Sequence, residues 1–219
     1  MSSFPGSPRL LKGGIVLLDP TTGAVQRIIT LQYNPDTLTR SLQIQSADTG
    51  NRDRSEALRL KGPPIETFKF DAEIDATDQL EFPDQNSNTV QFGVNPQLAA
   101  LETIIYPSSG QLLNNNSLAQ AGTLEIAPME APITLFVWSR SRVVPVRITD
   151  FSITEEAFDT SLNPIRAKVS ISMRVLSVDD LGFDDKGGNL FMVYQQQKER
   201  LATLSQGGTF GDLGIGGIP

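Results

Sequence analysis

Between Ile165 and Val175 the chain alternates without a break. Ile165, Ala167, Val169, Ile171, Met173 and Val175 take the odd positions, and Arg166, Lys168, Ser170, Ser172 and Arg174 the even ones. Successive side chains of a strand point to opposite faces, so this pattern predicts a strand buried on one face and wet on the other. Phe68, Phe70, Ala72 and Ile74 alternate with Lys69, Asp71, Glu73 and Asp75 in the same way. Val25, Ile29, Leu31 and Tyr33 place a third strand with Arg27 interrupting its apolar face, and Leu38, Leu42 and Ile44 a fourth.

Ile133–Trp138 is apolar on both faces except for Thr134, which predicts a central strand or one whose outer face meets a partner. In the next stretch the apolar parity switches. Val144, Val146 and Ile148 are even, while Phe151 and Ile153 are odd. One extra residue near Asp150 restores the register, as a β-bulge does, and bulges bend sheets toward closure. With 219 residues, 39% of them hydrophobic, the chain can bury a real core. The fold class expected is mainly β, an antiparallel barrel or sandwich.

Two helices are legible. Asn95-Pro96 supplies a cap and a first-turn proline. Leu98, Leu101, Ile104 and Ile105 follow at helical spacing, up to Pro107. The second helix starts after Gly187-Gly188 with Asn189 as cap, and Leu190, Tyr194, Leu201 and Leu204 can share a face, which reads as a helix packed on the sheet, with a docking helix as the alternative. Ser46–Gly62, with Arg52, Arg54, Arg59 and Lys61, reads as irregular. So do Asp78–Asn95 and Pro107–Pro132, and loops this long point to segments ordered against neighbours. Gln206–Pro219 carries six glycines and cannot form a packed element alone. The expected organisation is a β domain over 1–180 and, over 181–219, a helix with a flexible glycine-rich tail.

Chemistry is constrained by what is missing. The chain has no cysteine and no histidine, which removes disulfides, thiolate ligands, imidazole bases and any Ser-His-Asp triad. Asp71, Glu73 and Asp75 could in principle hold a divalent cation or supply a glycosidase pair. No Gly-containing turn sits beside them to add carbonyl ligands, so a solvated or pore-facing strand surface is the better account. Gly13-Gly14 lacks the rest of a phosphate-loop motif and reads as a turn. No catalytic, cofactor or metal site is expected. Residues 1–61 carry eight basic and five acidic groups, 62–130 one and ten, and 131–219 nine and ten. An acidic middle third is a poor surface for nucleic acid. Its opposite-signed neighbour could meet it within the fold or head-to-tail between copies. No stretch approaches the ~20 apolar residues of a membrane span, and the compartment expected is the cytoplasm or a particle assembled there.

Three blocks carry a family resemblance. Ile28-Ile29-Thr30-Leu31-Gln32-Tyr33-Asn34-Pro35-Asp36-Thr37-Leu38 resembles the strand and F/Y-N-P-x-x-L of tube-initiator and baseplate proteins of contractile injection systems. Gly62-Pro63-Pro64-Ile65-Glu66 followed by Phe68-Lys69-Phe70 is similar to a second block. Pro132–Trp138, Val146–Phe151 and Asn163–Val169 resemble P-x-x-x-F-x-W, a strand pair and a closing x-P-x-R-A-x-V strand. The likeness runs over residues 10–178. It implies a tube-protein-like β-barrel or sandwich with one flanking helix, and a structural subunit rather than an enzyme. The implied role is a ring, hexameric, between the spike/hub and the inner tube at the baseplate, nucleating tube assembly. Implied partners are copies of itself, the spike/hub, the tube protein and neighbouring baseplate subunits. Many relatives continue into a LysM domain, where this sequence runs into a helix and a glycine-rich tail. Candidate lumen-facing residues are Asp71, Glu73 and Asp75; candidate subunit-interface residues are Arg52, Arg54, Arg59, Leu190, Tyr194 and Leu201. The alternatives are a main inner-tube subunit and a β-sandwich module binding a glycan or other ligand.

Overall fold

The computed structural model describes residues 10–46, 59–122 and 131–218. Seven strands form one antiparallel sheet: β1 (Gly14–Leu18), β2 (Val25–Thr30), β3 (Thr39–Gln43), β4 (Ile65–Asp75), β5 (Ile133–Ser139), β6 (Arg142–Phe158) and β7 (Pro164–Val175). Their spatial order is β2-β1-β5-β6-β7-β4-β3. The centre is the β6–β7–β4 ladder, where Phe68, Met173 and Ile148 lie in register on one face, as do Phe70, Ile171 and Phe151. The ladder slips between Ile148 and Asp150, the bulge that the parity switch predicts. Without it Phe151 and Ile153 would turn to the wet face.

The sheet rolls round its apolar face. Phe136 of β5 packs against Phe68 and Phe70 of β4 at 5.3 and 5.7 Å between ring centroids, although two strands separate β5 from β4 in the ladder. Five helices follow the chain: α1 (Thr77–Leu80), α2 (Ser87–Phe92), α3 (Asn95–Glu102), α4 (Ser109–Gln120) and α5 (Lys186–Thr203). Leu98, Leu101 and Ile104 of the α3 region join the core as their spacing predicts, whereas Ile105 is exposed. Phe191 and Tyr194 of α5 belong to the same core cluster, so this helix packs on the barrel.

Several expectations are corrected. Strand β2 ends at Thr30, short of the Leu31 and Tyr33 expected in it, β3 leaves out Leu38 and Ile44, and almost every residue in the two strands is exposed. Gly13-Gly14 opens β1 rather than making a turn. A Cβ on Gly13 would meet the Trp138 ring at 2.7 Å, and one on Gly14 the Ile29 carbonyl oxygen at 2.5 Å. Three helices occupy stretches that read as irregular. The first two are short, and α4 carries no buried residue and no charge to mark a face. Helix α5 begins before its glycines, and Gly187 and Gly188 are buried in its first turn. Its buried face is therefore Gly187, Gly188, Phe191 and Tyr194, not the Leu190, Tyr194, Leu201, Leu204 stripe. The stretch Gln206–Ile218 contains turns but no helix or strand.

Candidate assembly surface

Alternation on β4 turns Asp71, Glu73 and Asp75 to the face opposite the core. Asp71 and Glu73 are exposed, and Asp75 is half-buried. Arg166, its cross-strand neighbour on β7, donates from Nε to Asp75 Oδ2 at 2.9 Å. Burial would raise the Asp75 carboxyl, but hydrogen bonds from the Thr77 hydroxyl and backbone, with the Arg166 charge, hold it below the usual aspartate range. Lys168 stands 4.0 Å from both Glu73 and Glu156. Among the described residues no three acidic side chains converge as metal ligands, and these three run in line along a strand. The arrangement is an acidic stripe on β4 set beside the basic Arg166 and Lys168 of β7 on an outward sheet face.

The second constellation is one that sequence reasoning missed. Glu66 shares the buried face of β4 with Phe68 and is only 2% exposed. Tyr194 donates from its hydroxyl to Glu66 Oε1 at 2.8 Å, Lys198 donates from Nζ to Oε2 at 2.7 Å, and Arg40 Nε lies 3.7 Å from Oε1. The Lys198 ammonium also stands 4.1 Å from the centre of the Tyr194 ring. Burial, then the Glu66 hydrogen bond and charge, push the Tyr194 phenol far above its ordinary range. A buried carboxylate thus ties α5 to β4. The signal was there: Glu66 continues the even-numbered apolar face of β4, where a charge requires a partner.

Tyr194 is therefore turned inward. Leu190 is half-buried and Leu201 exposed. Arg59 is exposed beside the isolated Ser46–Leu60 bridge, while Arg52 and Arg54 lie outside the described residues. The sequence also did not mark the exposed Leu112, Leu113 and Leu118 of α4. That helix is closed by a capping box, Ser108 accepting from the Gln111 amide while Gln111 accepts from the Ser108 amide.

The longest open feature is a strand edge. Strand β5 pairs with β6 only as far as Val146, yet β6 continues to Phe158 beside β7. Among the described residues Arg147–Phe158 has no strand on its β5 side. No helix among the described residues is long and apolar enough to cross a membrane.

Residues 16–180 match the family described as contractile injection system tube protein. Among solved structures, a chain from the tail of an empty gene transfer agent particle, refined with C6 symmetry, is 10% identical, with 75% of this chain and 90% of that chain covered and a TM-score of 0.30. A chain from the virion of a native gene transfer agent particle is also 10% identical, with 74% and 90% covered and a TM-score of 0.28. No curated protein matches the chain. The family match runs from within β1 to beyond β7 and covers most of the sequence, and the chain belongs to the contractile injection system tube protein family, the structural proteins of phage-tail-like contractile particles.

Proposed function

We propose that this protein forms a ring, hexameric, at the baseplate between the spike/hub and the inner tube, and that the ring nucleates tube assembly. Its neighbours are further copies of itself, the spike/hub, the tube protein and adjacent baseplate subunits. It carries no catalytic role and works within a particle assembled in the bacterial cytoplasm. The observation that carries this reading is that, among the described residues, β6 has no strand on its β5 side over Arg147–Phe158. A strand edge without a partner is a template for pairing with another chain. Contacts made head-to-tail between identical subunits close into rings when the rotation permits. The acidic stripe of Asp71, Glu73 and Asp75 faces the lumen in this arrangement, and Arg59, Leu190 and Leu201 face neighbouring subunits.

The main inner-tube subunit is the second reading, favoured by the family match itself. Helix α5 and the tail lie beyond residue 180, where that match ends. Elements added to the tube domain suit a subunit that must contact more than its own kind. Particles pulled down through the tagged chain and imaged by negative-stain electron microscopy separate the two. Gold label confined to the spike end of sheathed rods supports the ring. Label along the whole rod makes the chain the main tube subunit. A lone monomer without particle partners overturns both.

A further inference from the structure

The rolled sheet does not close by a ladder. Strand β3 covers β4 only from Ile65 to Lys69, and β2 is paired on one side only. Where the two ends approach, the Gln32 side chain stands in for a strand. Its amide donates to the Asp75 carbonyl at 2.6 Å and accepts from the Asp75 N–H at 3.0 Å. Both backbone groups of Asp75 thus face the gap. Strand alternation points those of Asp71 and Glu73 the same way, and they have no backbone partner there among the described residues. Behind this edge lies a cleft of about 290 Å³ between β2, β4 and α3, floored by Ile29, Leu31, Ile74 and Leu101. Gln97 reaches into it with a buried Oε1 that has no hydrogen-bond partner among the described residues. A row of unused peptide groups, an orphan acceptor and an apolar trough together fit an extended peptide.

The charge of the site selects the occupant. Of its lining residues only Arg27 and Glu73 are charged, and each has a partner, Arg27 the Thr103 hydroxyl and Glu73 the Lys168 ammonium. An uncharged segment fits without stranding a charge. Leu213–Ile218 has none, and Leu213, Ile215 and Ile218 stand exposed at 72%, 46% and 81%. Leu213 and Ile215 would share one face of a strand, with Gly214 and Gly216 on the other. Residues 204–212 span roughly 30 Å when fully extended, so the segment can reach away from the end of α5.

We propose that the seam takes the C-terminal segment Leu213–Ile218 of a second copy as an added strand against the free peptide groups of Asp71 and Glu73, with Leu213 and Ile215 in the cleft. This deepens the ring reading and rests on it: the exchange is a head-to-tail contact in which each copy gives a tail and receives one.

The chain lacks cysteine, so two thiols can be placed at will. Full-length Ala100→Cys and full-length Ile215→Cys, differently tagged, are mixed and oxidised mildly. A heterologous cross-link is expected, with none when Ser139→Cys replaces Ala100→Cys. Leu213→Asp in the tail donor should slow cross-linking about tenfold, the factor for losing one buried leucine. If native mass spectrometry of the same mixture shows rings but no cross-link forms, the strand exchange is wrong and the ring reading stands. If neither rings nor cross-link form, both fall. A chain carrying both thiols that closes only on itself at high dilution also overturns the second copy as occupant.

Discussion

Replacing Lys198 with methionine tests whether Glu66 fastens α5 to the barrel. The substitution keeps the length and apolar stem of the side chain and removes the ammonium that donates to Glu66 Oε2. Glu66 then keeps the Tyr194 hydroxyl at 2.8 Å and Arg40 at 3.7 Å. Breaking a fully buried ion pair costs about 3–5 kcal/mol, and a hydrogen bond to a charged group is worth roughly 1.5–3 kcal/mol. Lys198 is 30% exposed and two partners survive, so the lower range applies, about 2 kcal/mol. For a chain of this size that lowers Tm by about 4–8 °C. Trp138 is the only tryptophan and stacks on core residue Phe136 at 5.8 Å, so its fluorescence in a urea titration reports the loss. The companion Glu66→Leu/Lys198→Met removes both charges and should recover part of the deficit, because the neutral Tyr194 hydroxyl left without its acceptor costs less than a stranded carboxylate. If Lys198→Met changes stability by less than about 0.5 kcal/mol, and the double variant is merely additive, Glu66 is hydrated and the fastening is refuted.

Three further outcomes are expected. The Tyr194 phenol is raised in the folded state, so its stabilisation is complete below the unfolded value near pH 10 and is lost as the pH rises beyond it; Tyr194→Phe should flatten that alkaline decline in thermal melts. Ile171 is fully buried at the centre of the β6–β7–β4 ladder, and Ile171→Ala should cost about 2–5 kcal/mol in urea titration while Ile171→Asp gives no folded protein by circular dichroism. Deleting Gln206–Pro219 should leave Tm within about 2 °C of the full chain, since Gln206–Ile218 is exposed throughout, whereas a deletion from Gly187 strips Phe191 and Tyr194 from the core and should unfold the domain.

Legibility in the sequence tracked how many neighbours a residue has. Strands β4 and β7 were readable because each is covered on one face and paired along its length, so burial imposes the two-residue period. The bulge near Asp150 was readable for the same reason, as a fault in that period. In β2 and β3 Val25, Ile28 and Leu42 are exposed, and no pattern could separate an apolar residue awaiting a neighbour from one in a core. Helix α4 buries nothing and so has no stripe, though Ser108 and Gln111 at capping-box spacing did mark its start. The Gln32–Asp75 closure and the Glu66 cluster join residues far apart in the chain, and periodicity carries no such information.

The Gln32 rung has a mechanical consequence. Tension applied along β6 and β7 loads their long ladder in shear, so many hydrogen bonds resist together. Tension drawing β2 away from β4 meets one amide and then an open cleft, a peeling geometry in which bonds fail singly. Force across the wall and force along it therefore meet very different resistance, and the barrel has a built-in direction of yield.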